Sequence, residues 1–293
     1  MQAPKILLLK LKRRLERATK RLIRPFLMRR LKRQNLTSNN SLLSDSGPIV
    51  TLTSFGERLK VVFYTIESIA NGSQLPSRLT LWVEKEWLDK GLPDSLQRLQ
   101  KRGLEIKETE NLGPHKKYFP EIMSERGLDQ VFVTADDDTL YPKYWLDRLW
   151  KSHKANPDVI HCFRAHRIQF DTNGKLKSYA EWGKCLSRKP SHLHFSTGSC
   201  GVLFPAKMRT ELRNLGDAFK TQCPYADDIW LNATALNAGI PVSQVVEVPK
   251  RFYEIPGTRQ AALATFNNGK GGNDQQLKKT YGEEALARLR QSK

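Results

Sequence analysis

A chain of 293 residues with 39% hydrophobic content is long enough to bury a substantial core, so its composition excludes a disordered or fibrous protein. The formal charge of +19 is uneven: residues 1–36 hold 13 Lys or Arg against the single acid Glu16, leaving only +7 for the rest. No run of 18 apolar residues and no signal-peptide pattern is present, so neither a membrane span nor secretion is expected.

From Lys5 to Arg24, the residues Leu8, Leu11, Leu15, Ala18 and Leu22 recur at three- and four-residue steps with Arg and Lys between them, predicting a basic amphipathic helix. Pro25 should break or kink it, with a second apolar cluster at Phe26, Leu27, Met28 and Leu31. Such an arm suits an anionic lipid surface, although binding nucleic acid, packing on its own domain or standing simply as a solvated arm are the alternatives. The stretch from Gln34 to Pro48, rich in Asn, Ser and Thr, reads as a linker. The expected organisation is therefore an arm over 1–36, a linker over 37–48 and a folded domain over 49–293.

The domain opens with a strand from Ile49 to Thr53 and a helix from about Glu57 to Ala70, ended by Asn71-Gly72. A strand at Arg78–Glu84, a helix at Pro93–Gln100, a strand at Leu104–Lys107 and a helix at Lys116–Glu125 follow. Strands alternating with helices predict an α/β fold with a mostly parallel sheet covered on both faces, and residues 49–140 read as a nucleotide-binding half. Neither a G-x-G-x-x-G after the first strand nor a Walker lysine motif is present, so phosphate recognition falls to a cation and side chains.

The apolar strand Val131–Thr134 runs into Asp136, Asp137 and Asp138. Carboxylates two residues apart point to one side, so Asp136 and Asp138 can share a hard cation, Mg²⁺ or Mn²⁺. The alternative is a solvated acidic turn capping the helix that begins near Pro142. Beyond a helix at Tyr144–Ala155, the alternating segment Val159–Ile168 reads as one bent strand or two, placing His161, Arg164 and His166 on one face. A long loop from Asp171 to Ser196 carries Trp182, His192 and His194 and suits a binding surface. Predicted last are a strand at Gly198–Phe204, a helix at Asp227–Asn237, a strand at Val242–Val248 and a helix at Asn273–Arg290 after a glycine-rich run.

Asp227 and Asp228 open a predicted helix, where a cap and a general base are both physically reasonable. Lys116 can meet a diphosphate as a point charge or be an ordinary exposed lysine. His161, Arg164 and His166 can line a binding pocket or be hydrogen-bonded structural residues, and Trp182 can stack on a ligand ring or simply be buried. The cysteines Cys162, Cys185, Cys200 and Cys223 lack zinc-site spacing, and a reducing setting is the simpler expectation.

The segments VTADDDTLYP, ADDIW, IVTLTSFGER and GSCGVLFP together resemble bacterial glycosyltransferases of the GT-A fold, in the family-2-like group that builds surface polysaccharides. The similarity spans Pro48 to Leu277 and leaves the basic arm outside. It implies a nucleotide-sugar donor, expected to be a UDP-sugar, held by Thr51, Thr53, Arg58, Lys116, Asp136 and Asp137. It also implies Mn²⁺ or Mg²⁺ on Asp136 and Asp138, with the triple Asp leaving the register open to Asp137. Residues 141–293 would form the acceptor half, with His161, Arg164, His166 and Trp182 at the acceptor and Asp228 as base beside Asp227, where many relatives have Glu-Asp. A glycan or lipid-linked acceptor, inversion, and a cytoplasmic location on the inner face of the cell membrane through residues 1–36 complete the expectation. Two rivals stand beside it. One is a metal-dependent phosphohydrolase, whose D-x-D-x-T pattern fails because Thr139 directly follows Asp138. The other is a nucleic-acid-binding protein using the basic arm, which the two acidic clusters in the core oppose.

Overall fold

A computed structural model describes residues 22–124, 130–258 and 272–292. The stripe from Leu8 to Ala18, Glu125 and most of the glycine-rich run before Asn273 lie outside the described residues. The strands are β1 (Ile49–Thr53), β2 (Arg78–Glu84), β3 (Leu104–Thr109), β4 (Phe132–Thr134), β5 (Thr139–Leu140), β6 (Ile160–Cys162), β7 (Ala165–Arg167), β8 (Gly183–Lys184), β9 (His194–Ser196), β10 (Val202–Phe204), β11 (Val242–Gln244) and β12 (Tyr253–Glu254). Seven of them form the central sheet, in the order β11-β6-β10-β4-β1-β2-β3, while β5 pairs with β12 and β8-β7-β9 make a small separate sheet.

The expected α/β architecture, a mostly parallel sheet flanked by helices, is thus the one adopted. Only β10 runs against its neighbours β4 and β6. Alternation along the strands sends side chains to two cores. Val50, Leu52, Val133 and Leu203 face the helices Val62–Ala70, Asp94–Gln100 and Trp145–Ala155. Ile49, Phe132, Val202 and Phe204 face the helices Ala206–Leu215, Asp227–Asn237, Gly272–Thr280 and Glu283–Gln291. β2 is buried along its whole length, as the near-continuous apolar run of a central parallel strand requires.

Several local expectations change. The helix expected at Lys116–Glu125 is a 3-10 turn, Gly113–Lys117, followed by the short helix Phe119–Met123, because Pro120 sits at the start of that helix. Val159–Ile168 divides at Phe163–Arg164, so β6 belongs to the main sheet and β7 to the small one. The helix Ala206–Leu215 was not read from the sequence, and the C-terminal helix is two, interrupted at Tyr281–Gly282.

The largest departure is at the N-terminus. A helix covers residues 22–37, with Pro25 inside it, and packs on the domain. Leu31 is fully buried against Leu140 and Ile255, with Leu27 and Met28 beside it. Gln34 Nε2 and Asn35 Nδ2 donate to the buried Glu67 carboxylate at 2.6 and 3.1 Å, and Arg102 Nη1 pairs with the same group at 2.5 Å. The presumed linker is fastened as well: Leu42 is buried and its N–H donates to the Arg102 carbonyl at 2.9 Å, while Ser44 N–H donates to the Pro76 carbonyl at 2.9 Å. Complete burial of Leu31 and Leu42 contributes roughly 1.5–3 kcal/mol each. Polar composition suggested a spacer, yet Gln34 and Asn35 at its start are partners of the buried Glu67 charge, and the rest is tied down through main-chain bonds. Among the described residues no helix is long and apolar enough to cross a membrane.

Candidate active site

At the C-terminal end of β4 the chain turns through Asp136, Asp137 and Asp138, at the rim of the parallel sheet where ligands bind in open α/β folds. Many hydrogen bonds pin this turn. Asp136 N–H donates to Tyr141 Oη at 2.9 Å, Thr65 Oγ1 donates to the Asp137 carbonyl at 2.9 Å, and Ile255 N–H donates to the Asp138 carbonyl at 2.7 Å. Asp137 points inward, accepts from Ser54 Oγ at 2.6 Å and pairs with Arg58 at 2.5 Å. Burial pushes its carboxyl up to about 6, against the opposing pull of Arg58. Asp138 shares Arg58 at 2.8 Å, and burial raises its carboxyl too, with the charge of Asp136 adding to the effect.

Asp136 and Asp138 keep part of their surface toward a cleft of about 720 Å³, whose wall also includes Thr53, Arg58, Trp87, Asn111, Arg251 and Glu254. Mg²⁺-type sites take one or two carboxylates and complete their shell with water and phosphate oxygens. Two carboxylates on one cleft wall therefore fit such an ion in type and number. Among the described residues no group of three or more His, Cys, Asp or Glu side chains gathers as a self-sufficient metal cage.

The second acidic cluster begins the helix Asp227–Asn237, and neither aspartate caps it, since that helix start has no side-chain cap hydrogen bond. Asp228 Oδ1 instead accepts from the Gly198 N–H at 2.8 Å, across the chain. Burial pushes its carboxyl up to about 7, reinforced by the Asp227 charge and opposed by Lys117. Lys117 joins the clusters, with Nζ 3.0 Å from Asp136 Oδ1 and 3.3 Å from Asp227 Oδ2. Burial works against its charge, but Asp136, Asp227 and Asp228 together hold it protonated well above the usual lysine range. Gly198 leaves room at this junction, since a Cβ there would lie 2.9 Å from Asp228 Oδ1 and 3.3 Å from Lys117 Nζ and would push those groups aside.

Beyond the junction lies a second cavity of about 400 Å³, lined by His166, Tyr179, Trp182, Thr197, Asp228 and Asn273. Arg164 and Ser199 line both cavities, so the two adjoin. The Gly201 turn closes the seam: φ is +81° and Trp145 leaves no room for a Cβ, while Trp145 Nε1 donates to the Cys200 carbonyl at 2.8 Å.

Thr53, Arg58, Lys116, Asp136, Asp137 and Asp138 come together on the first cavity, and Arg164, His166, Trp182, Asp227 and Asp228 on the second. Three expected site residues do not serve as read. Thr51 is buried in the sheet, where Oγ1 donates to the Lys117 carbonyl at 2.8 Å and accepts from Trp82 Nε1 at 3.0 Å. Lys116 does line the first cavity, but its ammonium is paired with Glu84 and lies over the Phe55 ring rather than standing as an unpaired point charge. His161 lies in a separate depression and bonds the Asn156 carbonyl at 3.1 Å, because the break after β6 turns it away from Arg164 and His166. Trp182 borders its cavity but is mostly buried, donating to the Lys177 carbonyl at 3.1 Å beside Tyr179 and Phe195. His194 is likewise structural, bonded to the Val242 carbonyl at 3.0 Å.

Lys117 and Gly198 were missed. Lys117 had a signal in the doubled lysine of PHKK: on a 3-10 turn successive side chains diverge by about 120°, so one lysine meets β2 and the other the acidic clusters.

No protein-family model matches the chain, and no curated protein matches it. Among solved structures, one similar fold is that of CMP:2-keto-3-deoxy-manno-octonic acid synthetase complexed with CTP, at 11% identity and a TM-score of 0.46, covering 76% of this chain and 100% of that one.

Proposed function

We propose that the protein is a metal-dependent, inverting glycosyltransferase that moves a sugar from a nucleotide-sugar donor to a glycan or lipid-linked acceptor in surface polysaccharide synthesis. The observation that carries this reading is the Lys117 junction. It holds Asp136, at the wall of the larger cavity, and Asp227, beside the smaller one, on one ammonium group, while Asp228 faces the smaller cavity. A donor in the first cavity and an acceptor in the second would meet at the shared wall of Arg164 and Ser199.

Asp136 and Asp138 would hold a divalent cation, which supplies positive charge against the departing diphosphate. Thr53 and Arg58 line the donor cavity, and Arg58 adds a fixed guanidinium beside the acidic turn. Asp228, with its carboxyl near neutrality, takes the proton of the attacking acceptor hydroxyl. The acceptor oxygen bonds to the anomeric carbon as the bond from that carbon to the diphosphate oxygen breaks, and the electron pair leaves with the diphosphate. Positive charge builds on the sugar in an oxocarbenium-like state. Attack from the face opposite the leaving group inverts the centre.

The test is incubation with UDP-, GDP- and CMP-sugars plus Mn²⁺, reading donor consumption and thermal shift. Stabilisation by one donor class, with slow release of its nucleotide, is expected. Absence of both across the panel would refute the assignment.

A further inference from the structure

We infer that the outward face of the helix over residues 22–37 is a docking surface for an anionic phospholipid membrane, fixed rigidly to the domain that carries the acidic clusters. Residues 22, 26, 29, 33 and 36 follow three- and four-residue steps and so share one face, opposite the buried Leu31. That face is chemically mixed. Leu22, Phe26 and Leu36 are 68%, 70% and 57% exposed, an unusual amount of apolar surface to leave in water on one short helix. Between them stand Arg29, Arg30 and Arg33, all exposed and without an ion-pair partner among the described residues. The helix holds five Lys or Arg and no acid, and residues 1–21 continue the same composition with eight more against Glu16.

Apolar anchors interleaved with arginine match the acyl boundary and the phosphates of an anionic leaflet together. Nucleic acid would use the charges but leave Phe26 and Leu36 idle, so a lipid surface accounts for more of the face. A recess of about 350 Å³ beside the helix, lined by Arg30, Arg33, Ser38 and Asn40 among others, offers a phosphodiester headgroup both charge and the Ser38 hydroxyl.

The inner face ties this surface to the site. Leu31 packs on Leu140 and Ile255, which flank the Asp136–Asp138 turn in β5 and follow β12, and Arg24 reaches the carbonyl of the cleft residue Glu254 at 3.5 Å. A membrane bound to the outer face would therefore hold the cleft at a set height above it, a geometry suited to a lipid-borne acceptor. That last consequence rests on the transferase reading; the surface itself does not.

The test uses the full chain with an environment-sensitive fluorophore on Phe26→Cys or, as control, Asp217→Cys; the four native cysteines are buried and should not react. With phosphatidylcholine vesicles containing phosphatidylglycerol, the probe at 26 should shift to the blue and be quenched by brominated lipid, and the probe at 217 should not. A joint Arg29→Gln, Arg30→Gln and Arg33→Gln variant should partition roughly 10²-fold less, at about fivefold per basic residue. Leu36→Ser with Phe26→Ser should also weaken partitioning although every charge remains. Unchanged circular dichroism and unfolding midpoint would show that these variants fold. An unquenched probe at 26 on vesicle-bound protein would overturn the inference, as would tight duplex DNA binding in place of vesicle binding. Neither readout involves sugar transfer, so failure here leaves the proposed activity standing, and failure of the donor panel leaves this surface standing.

Discussion

Replacing Lys117 by Met removes one ammonium group while keeping a side chain of similar length. The loss falls on Asp136 at 3.0 Å, which keeps part of its surface toward the cleft, and on the more buried Asp227 at 3.3 Å, with Asp228 also influenced by the same charge. At an effective permittivity of about 20, two unit charges at that range attract by roughly 5 kcal/mol, and desolvation offsets much of this. The measurable quantity is the cost of stranding the remaining partners, about 3–5 kcal/mol for a buried pair. The cost should depend on pH with a definite sign. Lys117 lowers the Asp228 pKa, so its removal raises a folded-state value already lifted to about 7. A group with a raised folded pKa loses stability as pH rises through that value. Urea unfolding of Lys117→Met should therefore show the larger deficit at pH 8 and a smaller one at pH 6. An unchanged midpoint at pH 8 would refute the claim that this ammonium holds the two acidic clusters together.

Gly198→Ala places a methyl group against Asp228 and Lys117, so it should cost about 1–3 kcal/mol of overpacking and lower transfer at least tenfold by displacing the base, measured by thermal melt and rate. Wild-type turnover in that variant would show that Asp228 has room to move. Glu67→Ala leaves Arg102 buried without its carboxylate and releases Gln34 and Asn35, so about 3–5 kcal/mol should be lost and limited proteolysis should cut near residue 37. Resistance to proteolysis would show that the helix is held by its apolar face alone. The transfer rate should fall about tenfold per pH unit below about 7 as Asp228 takes up a proton, and a profile flat from pH 5.5 to 8.5 would exclude it as the base.

The parallel half of the sheet was legible because β1 and β2 carry nearly unbroken apolar runs, the pattern of strands buried on both faces. The acidic clusters were legible as charge interrupting such patterns. Strand direction was not: Val202–Phe204 reads the same parallel or antiparallel, and only its return after β9 sets it against β4. The helix Ala206–Leu215 escaped because Pro205 and scattered charge obscure its apolar positions Met208 and Leu212. At the N-terminus polarity misled, because the Gln34 and Asn35 side chains bond to Glu67, and the Asn40 carbonyl accepts from Arg102, charges more than 30 residues away that one-dimensional patterning does not connect. The choice between Lys116 and Lys117 needed the turn geometry, which composition does not encode. One consequence is practical: cutting at residue 36 would remove Leu31, Gln34 and Asn35 from the folded domain, so the helix over residues 22–37 is not a detachable anchor.

The central claim is that Asp228 accepts the proton of the attacking hydroxyl. Asp228→Asn keeps an Oδ1 acceptor for the Gly198 N–H at 2.8 Å, so the fold and the donor cavity should persist. Donor affinity and transfer rate measured side by side on wild type and this variant test the claim most directly. The account predicts donor affinity within about twofold of wild type and transfer lowered by about 10²-fold or more; a variant that transfers at the wild-type rate, or that loses donor affinity in proportion to rate, would contradict it.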